Sequence, residues 1–220
     1  MRVNNKNHYT GIKSAIFSLD IKNKNIIIKP ERNNQMKKIA IALCLIISSL
    51  PTFGANNVFF GESQNSITIY GAQSTGHGSL LKLIQPGIWD FHPQTLFMAQ
   101  YSQPMKFFRL DSRLNLNVGQ NFAYKSNKGL SFFGIGVSID SALLKHNGWY
   151  VGLGIGPYMR DNMDYWVESR LVFQEKVFIG KNINDKWNVE IFTMHFSNGN
   201  FTPVNEGFNF AGISIGYKFW

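Results

Sequence analysis

Between residues 66 and 219 the chain alternates apolar and polar positions in short runs separated by turn-forming residues. In 111–120 Leu114, Leu116 and Val118 share one parity, and Arg113, Asn115 and Asn117 share the other. In 132–140 Phe133, Ile135, Val137 and Ile139 alternate with Gly134, Gly136, Ser138 and Asp140, and in 149–158 Trp149, Val151, Leu153 and Ile155 alternate with glycines. A period of two places successive side chains on opposite faces of a strand. The spacing predicts eight strands, at 66–73, 94–102, 111–120, 129–139, 149–158, 168–180, 187–197 and 209–219. Most approach the 9–11 residues that a tilted strand needs to cross a bilayer. No heptad, long helical period or repeated unit is present.

The composition of the two faces decides between architectures. A soluble sandwich turns its large aliphatics inward, whereas here one face is small and polar enough to line a narrow interior and leaves the aliphatics for lipid. A soluble barrel of the opposite polarity, such as a lipocalin, has the same period. Aromatic residues near strand ends (Trp149, Tyr158, Trp166, Trp187, Tyr217) and the terminal aromatic Trp220 favour the membrane form. The expected fold is therefore all-β, an eight-stranded antiparallel transmembrane β-barrel of the bacterial outer membrane. Eight strands leave an interior that side chains fill, so a pore is not expected. With both termini on the inner side, the long connections 74–93 and 198–208 face outward.

The N-terminal region reads differently. Met36, two lysines, the apolar run from Ile39 to Leu50 and the small-residue exit "PTFGANN" have the form of a secretory signal peptide, too short for a membrane anchor. The expected division is an upstream extension at 1–35, a signal peptide at 36–55 and one barrel domain at 56–220. Residues 1–55 hold 9 of the 22 Lys+Arg and 2 of the 13 Asp+Glu, so 56–220 carries 13 basic and 11 acidic residues. The basic pI of the whole chain thus comes mainly from its leader, and a nucleic-acid partner is not expected. The single cysteine, Cys44, lies in the signal core, which leaves no thiol for disulfides or metal ligation in the barrel domain.

Candidate chemistry concentrates near the end of the chain. In "HFSNGNFTPVNEGFN" (195–209), His195 and Ser197 have the same parity as Val189 and Ile191, and Asn209 has that of Ile213 and Ile215. All three are thus expected on the lipid-facing side at the outer rim, where polar groups are costly. A His-x-Ser pair there reads either as a nucleophile with its base or as rim polarity. Elsewhere, His77 and His92 fall in the first outer loop without forming a metal set. Asp161 and Asp164 could bind a bridging cation, and Lys82 and Arg160 could meet lipid phosphates.

The 195–208 segment resembles the terminal motif of the outer-membrane lipid A 3-O-deacylases of the PagL type: His-aromatic-Ser-Asn, a loop with Pro and Asn, then Gly. The resemblance extends loosely back to residue 168. It implies a cofactor-free esterase acting on lipid A, or lipopolysaccharide, in the outer leaflet, with Ser197 as nucleophile and His195 as base. It implies Asn198 as a candidate oxyanion donor, Asn205 as support for the site, and Gly207 at the tight return. Family members place a glutamate fourteen residues after the histidine, where this chain has Asn209. Asn209 is expected to orient the imidazole, with Glu206 as the surrogate acid if it does not. Further partners expected are the outer-membrane assembly machinery and, less directly, a second copy of the chain. A catalytically inactive barrel with a structural or adhesive role is the alternative in a different class, and a soluble periplasmic lipid-binding barrel is a third.

Overall fold

The computed structural model describes residues 64–124 and 131–219. The expected leader, 1–55, lies outside the described residues. Eight antiparallel strands close into one barrel in sequence order: β1 (Asn65–His77), β2 (Gln94–Phe107), β3 (Leu110–Ala123), β4 (Phe132–His146), β5 (Trp149–Arg160), β6 (Leu171–Asn182), β7 (Trp187–Ser197) and β8 (Phe208–Phe219). β1 pairs with β8 to complete the ring, so no edge is left unpaired. The number of strands agrees with the sequence pattern, and several are longer. β2 continues to Phe107 and β4 to His146, while β4 and β6 begin three residues later than expected. These extensions carry the ladder beyond the alternating stretch, because hydrogen bonding to an already paired neighbour sustains a strand where the side-chain pattern has lapsed.

The two faces separate as the alternation requires. Arg113, Asn115, Asn117, Ser138 and Asp140 point inward and are buried, while Ile191 and Ile213, 69% and 64% exposed, belong to the apolar outer belt. Inside, Arg113 donates to Asp140 (2.8 Å) and to Glu190 (2.9 Å), and Lys176 donates to Asp140 (2.6 Å). Tyr150 donates to Glu190 at 3.1 Å. Two cations thus face two carboxylates, and these described residues form a buried, charge-balanced layer of the interior. The alternate glycines make room for it. The Tyr158 ring lies over Gly134 and Gly136, where any Cβ would overlap it.

This inward placement corrects the aromatic reading. Trp149, Trp187 and Tyr217 do face outward, the last two with ring centroids 4.9 Å apart. Tyr158 instead fills the interior, and Trp166 stacks on His77 at 4.0 Å. Strand ends put aromatics on either face, and only parity distinguishes a girdle residue from a core one.

Toward the outer end, Phe196 and Phe208 stack at 5.0 Å and Tyr158 meets Phe196 edge-on at 5.3 Å. The guanidinium of Arg160 lies 5.3 Å from the Phe208 centroid and binds Asp164 at 2.7 Å. The outer ends of β7 and β8 are thereby backed by close-packed rings, which hold their lipid-side residues on a rigid support.

Candidate functional site at the outer rim

The register aligns one row of outward-facing residues across four strands. Gly76 of β1 pairs with Asn209 of β8, Asn209 with His195 of β7, and His195 with Glu175 of β6. A register shift between Ser74 and Gly76 marks a bulge in β1 at this row, a device that re-aims backbone groups beside sites. Below the row the wall is aliphatic. At the row itself it becomes polar, yet His195 is only 5% exposed and Asn209 1%. The β1–β2 connection shelters them. After Gly78 it forms a 3₁₀ turn at Leu80–Leu83, packed on the outside of β7, where Thr193 donates to the Leu83 carbonyl at 2.7 Å.

Hydrogen bonding fixes the state of the imidazole. Asn209 Nδ2 donates to the carbonyls of Gly76 (3.2 Å) and Gly78 (3.3 Å). Carbonyls only accept, so the amide nitrogen belongs on their side and Oδ1 faces His195, whose Nδ1 lies 2.8 Å away. Nδ1 therefore carries a proton, and in the neutral imidazole Nε2 keeps its lone pair. Gly207, at φ +67°, packs flat against the ring, where a Cβ would overlap Cε1. His195 and Ser197 line one cleft of about 590 Å³ with His77, Gly78, Gly199 and Glu206 among its other walls. Among the described residues no hydrogen bond joins Ser197 Oγ to Nε2; in unliganded sites such bonds are often long and tighten around substrate.

The other candidates fall into place unevenly. Asn205 does tie the β7–β8 loop together, accepting from the Asn198 N–H and donating to Asn200 Oδ1, both at 2.9 Å. Asn198 is turned away from the expected task. Its buried amide donates to Thr202 and to the Val204 carbonyl, and its Oδ1 accepts from the Asn200 N–H. It staples the loop, because an Asx turn satisfies three polar groups at once. Glu206 lines the cleft with an exposed side chain, but Nδ1 of His195 is already engaged by Asn209. Arg160 and Asp164 pair with each other, and Asp161 accepts from the Phe133 N–H, so these groups are structural. Among the described residues no group of three or more His, Cys, Asp or Glu could hold a metal.

Sequence reasoning left three contributors without a role. His77 and Gly78 reach the cleft because β1 closes against β8, and no local pattern signals a contact across 131 positions. Glu175 was detectable: it interrupts the apolar parity of Phe173, Val177 and Ile179 on β6.

A transmembrane barrel with a sheltered His–Asn pair and a serine at its outer rim defines the class. The family model for lipid A 3-O-deacylase (PagL) matches residues 95–218, more than half of the chain. The chain belongs to this family, and its place is the bacterial outer membrane. Among solved structures, the barrel is similar to neisserial surface protein A, NspA (12% identity, 70% of this chain and 97% of that chain, TM-score 0.47). It is similar also to the outer-membrane enzyme PagL (13%, 69% and 97%, TM-score 0.46) and to Ail of Yersinia pestis (13%, 72% and 99%, TM-score 0.41). No curated protein matches the sequence.

Proposed function

We propose that this protein is an esterase that removes the 3-O-linked acyl chain of lipid A by a Ser/His mechanism. The observation that carries the reading is the His195–Asn209 bond at 2.8 Å, which sets the neutral imidazole in the tautomer with Nε2 as base, in the cleft that Ser197 also lines. Ser197 Oγ attacks the ester carbonyl while Nε2 takes its proton; the tetrahedral intermediate collapses, and the same proton passes to the departing sugar hydroxyl. Water, deprotonated by Nε2, then releases the fatty acid from the serine. With the Asn198 side-chain amide engaged in its loop, the oxyanion falls to another residue lining the cleft, Asn200, through its side-chain NH₂ group.

Asn209 holds the tautomer but adds no negative charge to steady the imidazolium. A serine triad whose acid becomes an amide loses about 10⁴ in rate when the wrong tautomer results. Here the Gly76 and Gly78 carbonyls enforce the right one, so the larger part of that loss is avoided.

The cleft also adjoins an apolar groove on the lipid-facing wall, with Leu80 lining both. A lipid lying in the outer leaflet would thus present its sugar to the cleft and a tail to the groove. Mass spectrometry of lipid A from cells producing the protein should show loss of one 3-O-acyl chain. Ser197→Ala and His195→Ala should each abolish the loss, at least about 10³-fold, while heat-modifiable barrel migration stays intact. Deacylation surviving Ser197→Ala overturns the mechanism. A wild-type barrel that leaves lipid A unchanged favours the inactive, structural reading.

A further inference from the structure

One polar residue on the lipid-facing wall takes no part in the proposed ester cleavage. Glu175 interrupts the apolar parity of Phe173, Val177 and Ile179 on β6. It pairs across the ladder with His195 on one side and, on the other, with Ile155 of the exposed apolar belt. An ionisable side chain at membrane depth is costly, and it usually escapes by snorkelling to water or by pairing. Glu175 does neither. Its Oε2 is buried with no hydrogen-bond partner, and among the described residues no Lys, Arg or His forms an ion pair with it.

The surroundings narrow what this oxygen serves. Both nitrogens of His195 are committed elsewhere, Nδ1 to Asn209 and Nε2 to the cleft. The carboxyl lines the adjoining apolar groove instead, with Val177, Leu80, Leu83 and Ile84 among its other walls. Side chains directly opposite in an antiparallel pair have Cβ atoms about 5 Å apart, and the diagonal neighbour lies about 7–8 Å away. Glu175 is opposite His195, and Ser197, opposite Phe173, is that diagonal neighbour. An ester held at Ser197 therefore brings atoms only a few bonds from its carbonyl carbon up to the carboxyl.

We infer that Glu175 is a specificity-determining residue: its unpaired oxygen accepts a hydrogen bond from a hydroxyl or amide N–H of the lipid, a few bonds from the scissile ester. The inference rests on the esterase reading for the ester and adds what selects among esters. Hydrocarbon selects poorly, because a chain entering the groove exchanges one apolar surrounding for another. A buried acceptor selects strongly, because a lipid without the donor leaves it unpaired. The donor belongs either to the acyl chain or to the sugar side of the ester, and both offer the same O–H or N–H chemistry.

The test uses the full chain in vesicles, with matched ester lipids that carry no donor, a hydroxyl on the acyl side, or a hydroxyl or amide on the sugar side. For one donor-bearing form kcat/KM should exceed that of the bare ester by about tenfold to about a hundredfold, and the form that gains identifies the source. Glu175→Leu should bring the ratio to within about twofold, and Glu175→Gln, which keeps an accepting oxygen, should retain part of it. A ratio between substrates is unmoved by general damage to the barrel, so it separates selection from structure. A second readout needs no turnover. Ser197→Ala is equilibrated with equal amounts of the bare and donor-bearing lipids, and the lipid that co-purifies is identified by mass spectrometry. The donor-bearing form should be enriched about tenfold, and Ser197→Ala/Glu175→Leu should lose the enrichment. No preference in the wild type, or a preference that survives Glu175→Leu, overturns the inference. So does a Glu175→Gln that lowers every ester equally and shifts the pH profile, since the carboxyl is then a charge partner of His195. Enrichment through Glu175 without any wild-type cleavage leaves the donor site standing and removes the esterase.

Discussion

Two sets of polar side chains sit on opposite faces of the same barrel wall, and they are held in opposite ways. Inside, Arg113, Lys176, Asp140 and Glu190 neutralise one another and bind tyrosine hydroxyls. Outside, Asn209 is fully engaged, but Nε2 of His195 faces a cleft and Glu175 keeps a buried oxygen with no hydrogen-bond partner. The inner set uses polar chemistry to fill space, and the outer set leaves it available. A buried ion pair is weak evidence for function, since geometry can satisfy it wholly within the protein. Polar groups on a lipid-facing wall have no such explanation, and their cost points to a ligand.

The contrast breaks first and most severely inside. Glu190→Ala leaves Arg113 and Lys176 sharing Asp140, one uncompensated positive charge in a closed core. Destabilisation of about 3–5 kcal/mol is expected in urea titrations of vesicle-folded protein. On the proposed mechanism the fraction that stays folded should cleave ester at the wild-type rate, because none of these groups lines the cleft. A rate that falls with stability unchanged would make the inner network part of the site.

Outside, the effects should fall on turnover. Gly207→Ala pushes a methyl into the His195 ring and imposes a side chain at φ +67°. Displacing the base by about 1 Å can cost about 10²-fold, so kcat should drop by that order with the barrel still folded. Asn209→Ala removes one bond to the imidazole and leaves two carbonyls unpaired, a smaller loss of about tenfold in kcat. Asn209→Asp sharpens the point. Its carboxylate would face the Gly76 and Gly78 carbonyl oxygens, acceptor against acceptor, so turnover should fall and not rise despite the added charge. Glu206→Ala should be nearly silent, within about twofold, because its carboxylate is exposed and makes no bond to His195. A damaging Glu206→Ala beside a silent Asn209→Ala would reverse the assignment of the orienting residue.

Much of the site was readable along the chain because it is local. His195, Ser197 and Asn209 follow from strand parity plus one hairpin, and parity is insensitive to the exact strand ends. The same rule would have exposed Glu175. The loop bonding of Asn198 was not legible for a different reason. A loop asparagine can aim its amide at a substrate or at its own backbone, and local sequence is the same in both cases. The aromatic girdle was half right, since Tyr158 lies on the inner parity of β5 and Trp166 lies in a loop with no parity at all.

By itself the sequence determined the alternation, and with it eight strands, a polar inside, an aliphatic outside and a histidine beside a serine on the costly face. Those features depend on side-chain period and on a single hairpin, both of which are set within a few residues. Only the tertiary structure decided that β1 closes on β8. That closure brings the Gly76 and Gly78 carbonyls to the Asn209 amide, lays Leu80–Leu83 over the wall of β7, and thereby fixes the proton on Nδ1 of His195. Ring closure joins residues more than 130 positions apart, and no period within a strand carries information about a partner that distant.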